Sequence, residues 1–318
     1  MEKFEIKEYK ATRLGFGEGL RDAGKKYSNI VVIGSDISAS VCVDLFAKEF
    51  PNRFFSLGIA EQNAITFACG LALTGKIPFV ASYATFIVMR TLDQIRVSAC
   101  YNKLNIKIGG AHSGISVGPD GATHQALEDI AVLRPLPNMV ILSPADANQT
   151  YNCVFTAIEE TNLPTYIRFG REPIPNFTDK NKKTSIGKSE VLLEGKHCCI
   201  IATGSMVWES LQAALLLKKE GIFCTVINMY SIKPLDTNII NEVISNIDYI
   251  VTVEEHQRIG GLGGAITEYI SQYKPTKTLI LGIPDVFGES GQPDELLEKY
   301  DLKSYKISQK IKSFLQKN

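Results

Sequence analysis

Apolar and polar positions fall in alternating blocks along this chain. Short runs that are apolar on both parities recur: NIVVIGSD (29–36), NIKIGGAH (105–112), MVILSP (139–144) and TYIRFG (165–170), then CCIIATG (198–204), CTVINMY (224–230), YIVTVEEH (249–256) and TLILGIPD (278–285). Such runs read as strands buried on both faces. Between them lie longer helical patterns, such as GSMVWESLQAALLLKKEG (204–221), which closes on a lysine pair and a glycine. Strand–helix alternation predicts an α/β fold with largely parallel sheets flanked by helices. Residues 171–187, REPIPNFTDKNKKTSIG, break the pattern with two prolines and a lysine cluster. They are read as a linker between a first domain over 5–170 and a second over 188–318.

The 318 residues suit two domains of ordinary size, and 45% hydrophobic with 21% charged residues is globular composition. Lys+Arg and Asp+Glu both number 34. That balance gives no reason to expect nucleic acid or an anionic membrane as partner. The opening MEKFEIKEYKATR has no apolar signal core, and no stretch approaches the ~20 apolar residues of a membrane span. The seven cysteines (Cys42, Cys69, Cys100, Cys153, Cys198, Cys199 and Cys224) sit mostly inside apolar runs and show no CxxC spacing. They read as buried free thiols in a reducing, cytoplasmic setting.

The segment FFSLGIAEQNAITFACGL (54–71) carries the most informative residue, Glu61. A strand is expected over Phe54–Ile59 and a helix from Ala64 to Leu73, which puts Glu61 at a strand's carboxyl end, where open α/β sheets bind ligands. Ile59, Ala60 and Ala64 offer it little water and no basic partner, so a raised pKa is expected. An acidic first-turn residue favoured by the helix dipole is the plain alternative. The stretch HSGISVGPDGATHQALEDIAVLR (112–134) hangs His112, Asp120 and His124 on a glycine-rich loop, with a helix expected from about Thr123. These three lack the spacing of a metal site. IGSDISAS (33–40) ends a strand in Asp36, Ser38 and Ser40. Arg168, inside the apolar strand TYIRFG, needs an anionic partner, either a protein carboxylate or a ligand phosphate. Arg13 lies in a helical stretch. The GGLGG turn at 260–264 lacks a dinucleotide fingerprint and reads as close strand–helix packing.

Taken together, GSDISAS, LGIAEQNA, YATF, HSGISVGPDGATHQALEDIAVLR, PTYIRFGRE, ATGS, VTVEEH and FGESG resemble, in order and spacing, the carboxyl-terminal half of transketolase, especially split transketolases made as two chains. The resemblance implies a pyrimidine-binding domain followed by the family's C-terminal domain, with thiamine diphosphate as cofactor. It implies that Glu61 hydrogen-bonds the cofactor's aminopyrimidine and so activates it as a base, with Asp36 and the aromatic Phe86 nearby. Arg13, Ser40, His112 and Arg168 match residues that hold the sugar phosphate, Asp120 one that reads a substrate hydroxyl, and His124 one near the donor carbonyl. Arg90, in FIVMRTLDQIR, matches a position seen in related deoxyxylulose-phosphate synthases and is expected as a second phosphate ligand. Met89 and Leu92 stand where many relatives have further aromatics. The family's Gly-Asp-Gly motif for magnesium and diphosphate is absent from the sequence, so metal ligands are expected on a partner chain, an N-terminal subunit, in an A₂B₂ assembly. The activity implied is transfer of a two-carbon ketol unit from a ketose phosphate to an aldose phosphate. A deoxyxylulose-phosphate-synthase-like subunit and a 2-oxo-acid dehydrogenase E1 β-like subunit are the alternative enzymes, and a scaffold subunit that lost the chemistry is the non-enzyme reading.

Overall fold

The structure, a computed structural model, describes residue 4 and residues 6–317. Strands of the first half are β1 (Glu8–Ala11), β2 (Ile30–Gly34), β3 (Phe54–Ser56), β4 (Ile77–Tyr83), β5 (Lys107–Ala111), β6 (Val140–Leu142), β7 (Thr165–Arg168) and β8 (Pro173–Asn176). Those of the second half are β9 (Glu190–Leu193), β10 (Cys198–Ala202), β11 (Cys224–Asn228), β12 (Ser231–Lys233), β13 (Tyr249–Gln257) and β14 (Lys277–Ile283). Every strand expected from the apolar runs forms, most of them shorter than the run, while β13 extends one residue past it to Gln257.

The larger sheet has seven strands in the order β12-β6-β7-β5-β4-β2-β3. All its pairs are parallel except β12 with β6. Its core strands are buried on both sides, which is why they read as continuous apolar runs. Ile33, Val80 and Ile108 pack under one face, and Val32, Phe79 and Ile167 under the other. Each such side chain contributes roughly 1.5–3 kcal/mol when fully buried. The smaller sheet, β14-β13-β10-β11-β9, is parallel apart from the β11–β9 edge. Two α/β units with mostly parallel sheets are therefore present, as expected.

Three expectations need correction. The presumed linker begins with a strand: β8 pairs antiparallel with β1, register Glu8↔Asn176 to Ala11↔Pro173, and extends the first unit past residue 170. The apolar content of IPNF was too short to reveal it. The second unit also lends β12 to the edge of the first unit's sheet, so the division is not clean in space. No helix starts at Thr123. The chain there is turns, and the helix runs over Asp129–Leu133. The loop is held instead by the second unit. Gly114 has φ of +88°, and a side chain on it would run into the Glu255 carboxylate, which accepts the Ser116 amide at 2.5 Å. The close-packing reading of GGLGG agrees with the structure: a Cβ on Gly263 would lie 2.6 Å from Ile280, and the helix Leu262–Tyr273 presents its first amides to Glu254 at 2.7 and 2.8 Å. All seven cysteines are free and buried. No helix among the described residues is long and apolar enough to cross a membrane.

Candidate active site

The chain order of the larger sheet reverses between β2 and β4, which places a crevice beyond the carboxyl ends of β3, β2, β4, β5 and β7. Glu61 follows β3, Asp36 and Ser40 follow β2, Tyr83 ends β4 with Phe86 one helical turn on, His112 follows β5, and Arg171 lies beyond β7. Most of these groups touch in one continuous arc. Arg13, on the helix Thr12–Lys26, donates to the Ser40 carbonyl at 2.8 Å. The Ser40 hydroxyl lies 3.0 Å from the Tyr83 hydroxyl and 3.4 Å from His112 Nε2. The His112 and Tyr83 rings are 4.0 Å apart. His124 sets its ring edge-on to Phe86 at 5.2 Å and to Tyr83 at 5.9 Å, while its Nδ1 meets the Thr123 hydroxyl at 2.9 Å. Phe86 then carries the Arg90 guanidinium over its ring at 4.1 Å, and Arg90 Nη1 donates to both Glu61 oxygens at 3.1 and 3.2 Å.

His112 is the unusual member. It is 1% exposed, sits at φ of +56°, and its Nδ1 has no partner. Burial, reinforced by the charges of Arg13, Arg171 and His124, pushes its pKa down to about 3. It is therefore a neutral imidazole near pH 7, with one ring nitrogen unspent. Arg13 likewise keeps a buried, unpartnered Nε. Unpaired buried polar atoms are uncommon in folded proteins, and two of the thirteen among the described residues belong to this crevice.

Several residues stand elsewhere than expected. Glu61 is buried as anticipated, but it is the first residue of the helix Glu61–Leu73 and it does have a basic partner, Arg90, from 29 positions away. Local sequence cannot show a contact made through tertiary packing. Arg90 itself pairs with Glu61 and lies over the Phe86 ring. Arg168 departs further. Its Nε donates to Asp129 at 2.8 Å, and its Nη2 donates to the carbonyls of Ala126 and Glu255 at 3.2 and 2.9 Å. Its carboxylate partner belongs to its own unit and the Glu255 carbonyl reaches it across the domain contact, which is the protein-carboxylate alternative that the sequence left open. Arg171, overlooked in the sequence, is the arginine that opens into the crevice: it is 30% exposed and pairs with Asp120 at 3.0 Å. Its position, three residues past Arg168 and beyond the strand's carboxyl end, was the signal available. Tyr83 was overlooked too, although YATF ends a strand on the same edge. Asp36 is an exposed turn residue that joins none of these contacts.

The chain matches the transketolase pyrimidine-binding domain over residues 8–176 and the transketolase C-terminal domain over residues 187–307. The chain belongs to the transketolase family. It is 45% identical over 312 residues to a putative transketolase C-terminal section of Methanocaldococcus jannaschii, covering 97% of this chain and 98% of that one. A solved split gene transketolase, an inactive beta4 tetramer, superposes with a TM-score of 0.90 at 43% identity, over 96% of this chain and 98% of that chain. The 1-deoxy-D-xylulose-5-phosphate synthase of Dictyoglomus thermophilum is 41% identical over 95% of this chain, which spans only 49% of that enzyme. The chain is therefore a transketolase-type subunit that spans about half the length of the longer relatives it matches. Among the described residues no group of three or more His, Cys, Asp or Glu side chains is placed to hold a metal ion.

Proposed function

We propose that this chain is the B subunit of a two-chain transketolase that uses thiamine diphosphate and moves a two-carbon ketol unit between sugar phosphates. The observation that carries the reading is the buried Glu61 carboxylate, which already holds a planar N–H donor against the Phe86 ring at the head of a histidine-lined crevice. That donor set fits an aminopyrimidine: a carboxylate for a ring nitrogen and an aromatic face for the ring. When bound, thiamine diphosphate supplies the electron sink for breaking and making the carbon–carbon bond beside a carbonyl. Glu61 would orient and polarise its pyrimidine end. His112, neutral and with a free Nδ1, would hydrogen-bond the sugar without bringing charge. His124, packed on Phe86, would lie at the boundary between cofactor and sugar. Arg171 and Arg13 are the cations available to a substrate phosphate, and a phosphate accepts several such donors at once. Magnesium and the diphosphate would be held by the partner subunit.

The test is Glu61→Gln in the enzyme assembled with its partner. Activity should fall roughly 10²–10⁴-fold while the melting temperature holds, because a proton-transfer group at the cofactor is lost. Activity within about threefold of wild type sinks the assignment. The identity to deoxyxylulose-phosphate synthase favours one second reading, a subunit of a split enzyme that forms 1-deoxyxylulose 5-phosphate. Product analysis on the assembled enzyme, with ketose-phosphate donors beside an assay for that product, separates the two.

A further inference from the structure

The Arg90 side chain makes, by itself, both contacts that the proposed reading asks of the cofactor's pyrimidine. Its N–H edge sits on the Glu61 carboxylate at 3.1 and 3.2 Å, and its planar guanidinium sits over the Phe86 ring at 4.1 Å. The carboxylate is 7% exposed and the arginine 47% exposed, so the cation covers the slot from its open side. We propose that Arg90 is an internal stand-in for the aminopyrimidine, filling its slot in the unloaded chain and leaving when the cofactor binds. The inference rests on the reading of Glu61 as the aminopyrimidine's partner.

Two physical requirements meet in this arrangement. A carboxylate with little solvent is costly to leave unpaired, and Arg90 offsets that cost while no cofactor is present. The stand-in must also be removable. The Arg90 backbone is fixed: its amide donates to the Phe86 carbonyl at 3.1 Å, and Gln62 Nε2 donates to its carbonyl at 2.9 Å. The side chain is half open to water, so it can swing out by its own torsions with no movement of the fold. Arginine suits the task and lysine does not, because only a planar cation can stack on a ring and present an N–H edge together. The consequence is competition, since cofactor and guanidinium cannot share one slot. An ion pair open to water on its arginine side and a cation–π contact are each modest, so their displacement should weaken cofactor binding by about three- to tenfold.

The experiment is titration calorimetry of thiamine diphosphate, at saturating magnesium, into the complex of this chain with its partner. Wild type, Arg90→Met, Arg90→Lys, Glu61→Gln and the Arg90→Met/Glu61→Gln double variant are compared, with melting curves as a check on folding. The expected result is a Kd about three- to tenfold lower for Arg90→Met, a smaller tightening for Arg90→Lys, and loss of the gain when Glu61 is also replaced. Should Arg90→Met fail to assemble, Arg90→Lys alone decides by the sign of its change. An unchanged or higher Kd for the arginine variants, with Glu61→Gln still weakening binding, overturns the stand-in and leaves the Glu61 reading in place. A cofactor Kd indifferent to Glu61→Gln overturns both.

Discussion

Two clusters in this molecule hold the same kinds of side chain, and they differ in whether those side chains reach solvent. At the contact between the two units, Asp129 takes the Arg168 Nε at 2.8 Å and the Tyr166 hydroxyl at 2.6 Å. His256, on β13, lends Nδ1 to the Gln257 carbonyl and takes the Ala131 amide at Nε2. Asp129, Tyr166, Glu254 and His256 are 0% exposed. Burial opposes the charge on Asp129, but Arg168, His256 and the Tyr166 hydroxyl outweigh it and hold its pKa below the usual carboxylate range. In the crevice His112 and Arg13 keep buried nitrogens without partners, and there, unlike at the seam, Arg171, Asp120 and Arg90 reach solvent. Residue type is alike in the two places. Asp129 Oδ1 also lacks a partner, so what separates the buried seam from the candidate site is that unspent hydrogen-bonding capacity lies beside an opening.

The contrast is tested most severely by exchanging the two arginines of YIRFGRE for neutral side chains. Arg168→Met strands Asp129 as a buried charge, and breaking such a pair costs about 3–5 kcal/mol. Urea unfolding should show that loss, with catalysis by whatever protein remains folded little changed for phosphorylated and unphosphorylated donors alike. Arg171→Ala should leave stability within about 0.5 kcal/mol, as ordinary surface changes do. It should raise KM for phosphorylated sugars about tenfold or more while an unphosphorylated ketol donor such as hydroxypyruvate is used nearly as before. A stability loss at Arg171 with none at Arg168 would reverse the two assignments.

A smaller effect comes from pH. His112 resists protonation down to about 3, so the unfolded chain takes up a proton first, and stability is lost as pH falls below about 6.5. His256 behaves alike, because burial lowers its pKa to about 4. Glu254 runs the other way: burial raises its pKa to about 7, so its contribution is present at low pH and is lost as pH rises through that value. Between about pH 4.5 and 6.5 the seam's His256 and Glu254 offset one another, and His112 has no such counterweight. His112→Asn, a residue that tolerates the left-handed backbone at this position, should therefore reduce the acid slope of unfolding free energy by about 1.4 kcal/mol per pH unit in that window. Equal slopes for variant and wild type would mean that His112 is not the buried neutral imidazole described.

How much of this was legible in the sequence depended on whether the signal was local. Strands such as IVVIG and CTVIN declare themselves because burial on both faces demands an unbroken apolar run. Glu61 and His112 stood out because each lies just beyond such a run, where parallel sheets bind ligands, and His124 because it hangs on a glycine-rich loop. The short strand Pro173–Asn176 was hidden because only pairing with Glu8–Ala11 makes it a strand. The roles of Arg90 and Arg168 were hidden for a related reason. An arginine's partner is chosen by the fold, and Glu61 and Asp129 lie 29 and 39 residues away from them in sequence.

The central claim is that this chain carries the pyrimidine and sugar half of a site whose diphosphate half lies on another chain. Titration calorimetry with magnesium and thiamine diphosphate, first on this chain alone and then on its mixture with the partner, tests that directly. The account predicts no saturable binding by the isolated chain and saturable binding, one cofactor per copy of this chain, by the mixture. Tight binding of the cofactor by the isolated chain, or ketol transfer without a partner, would contradict it.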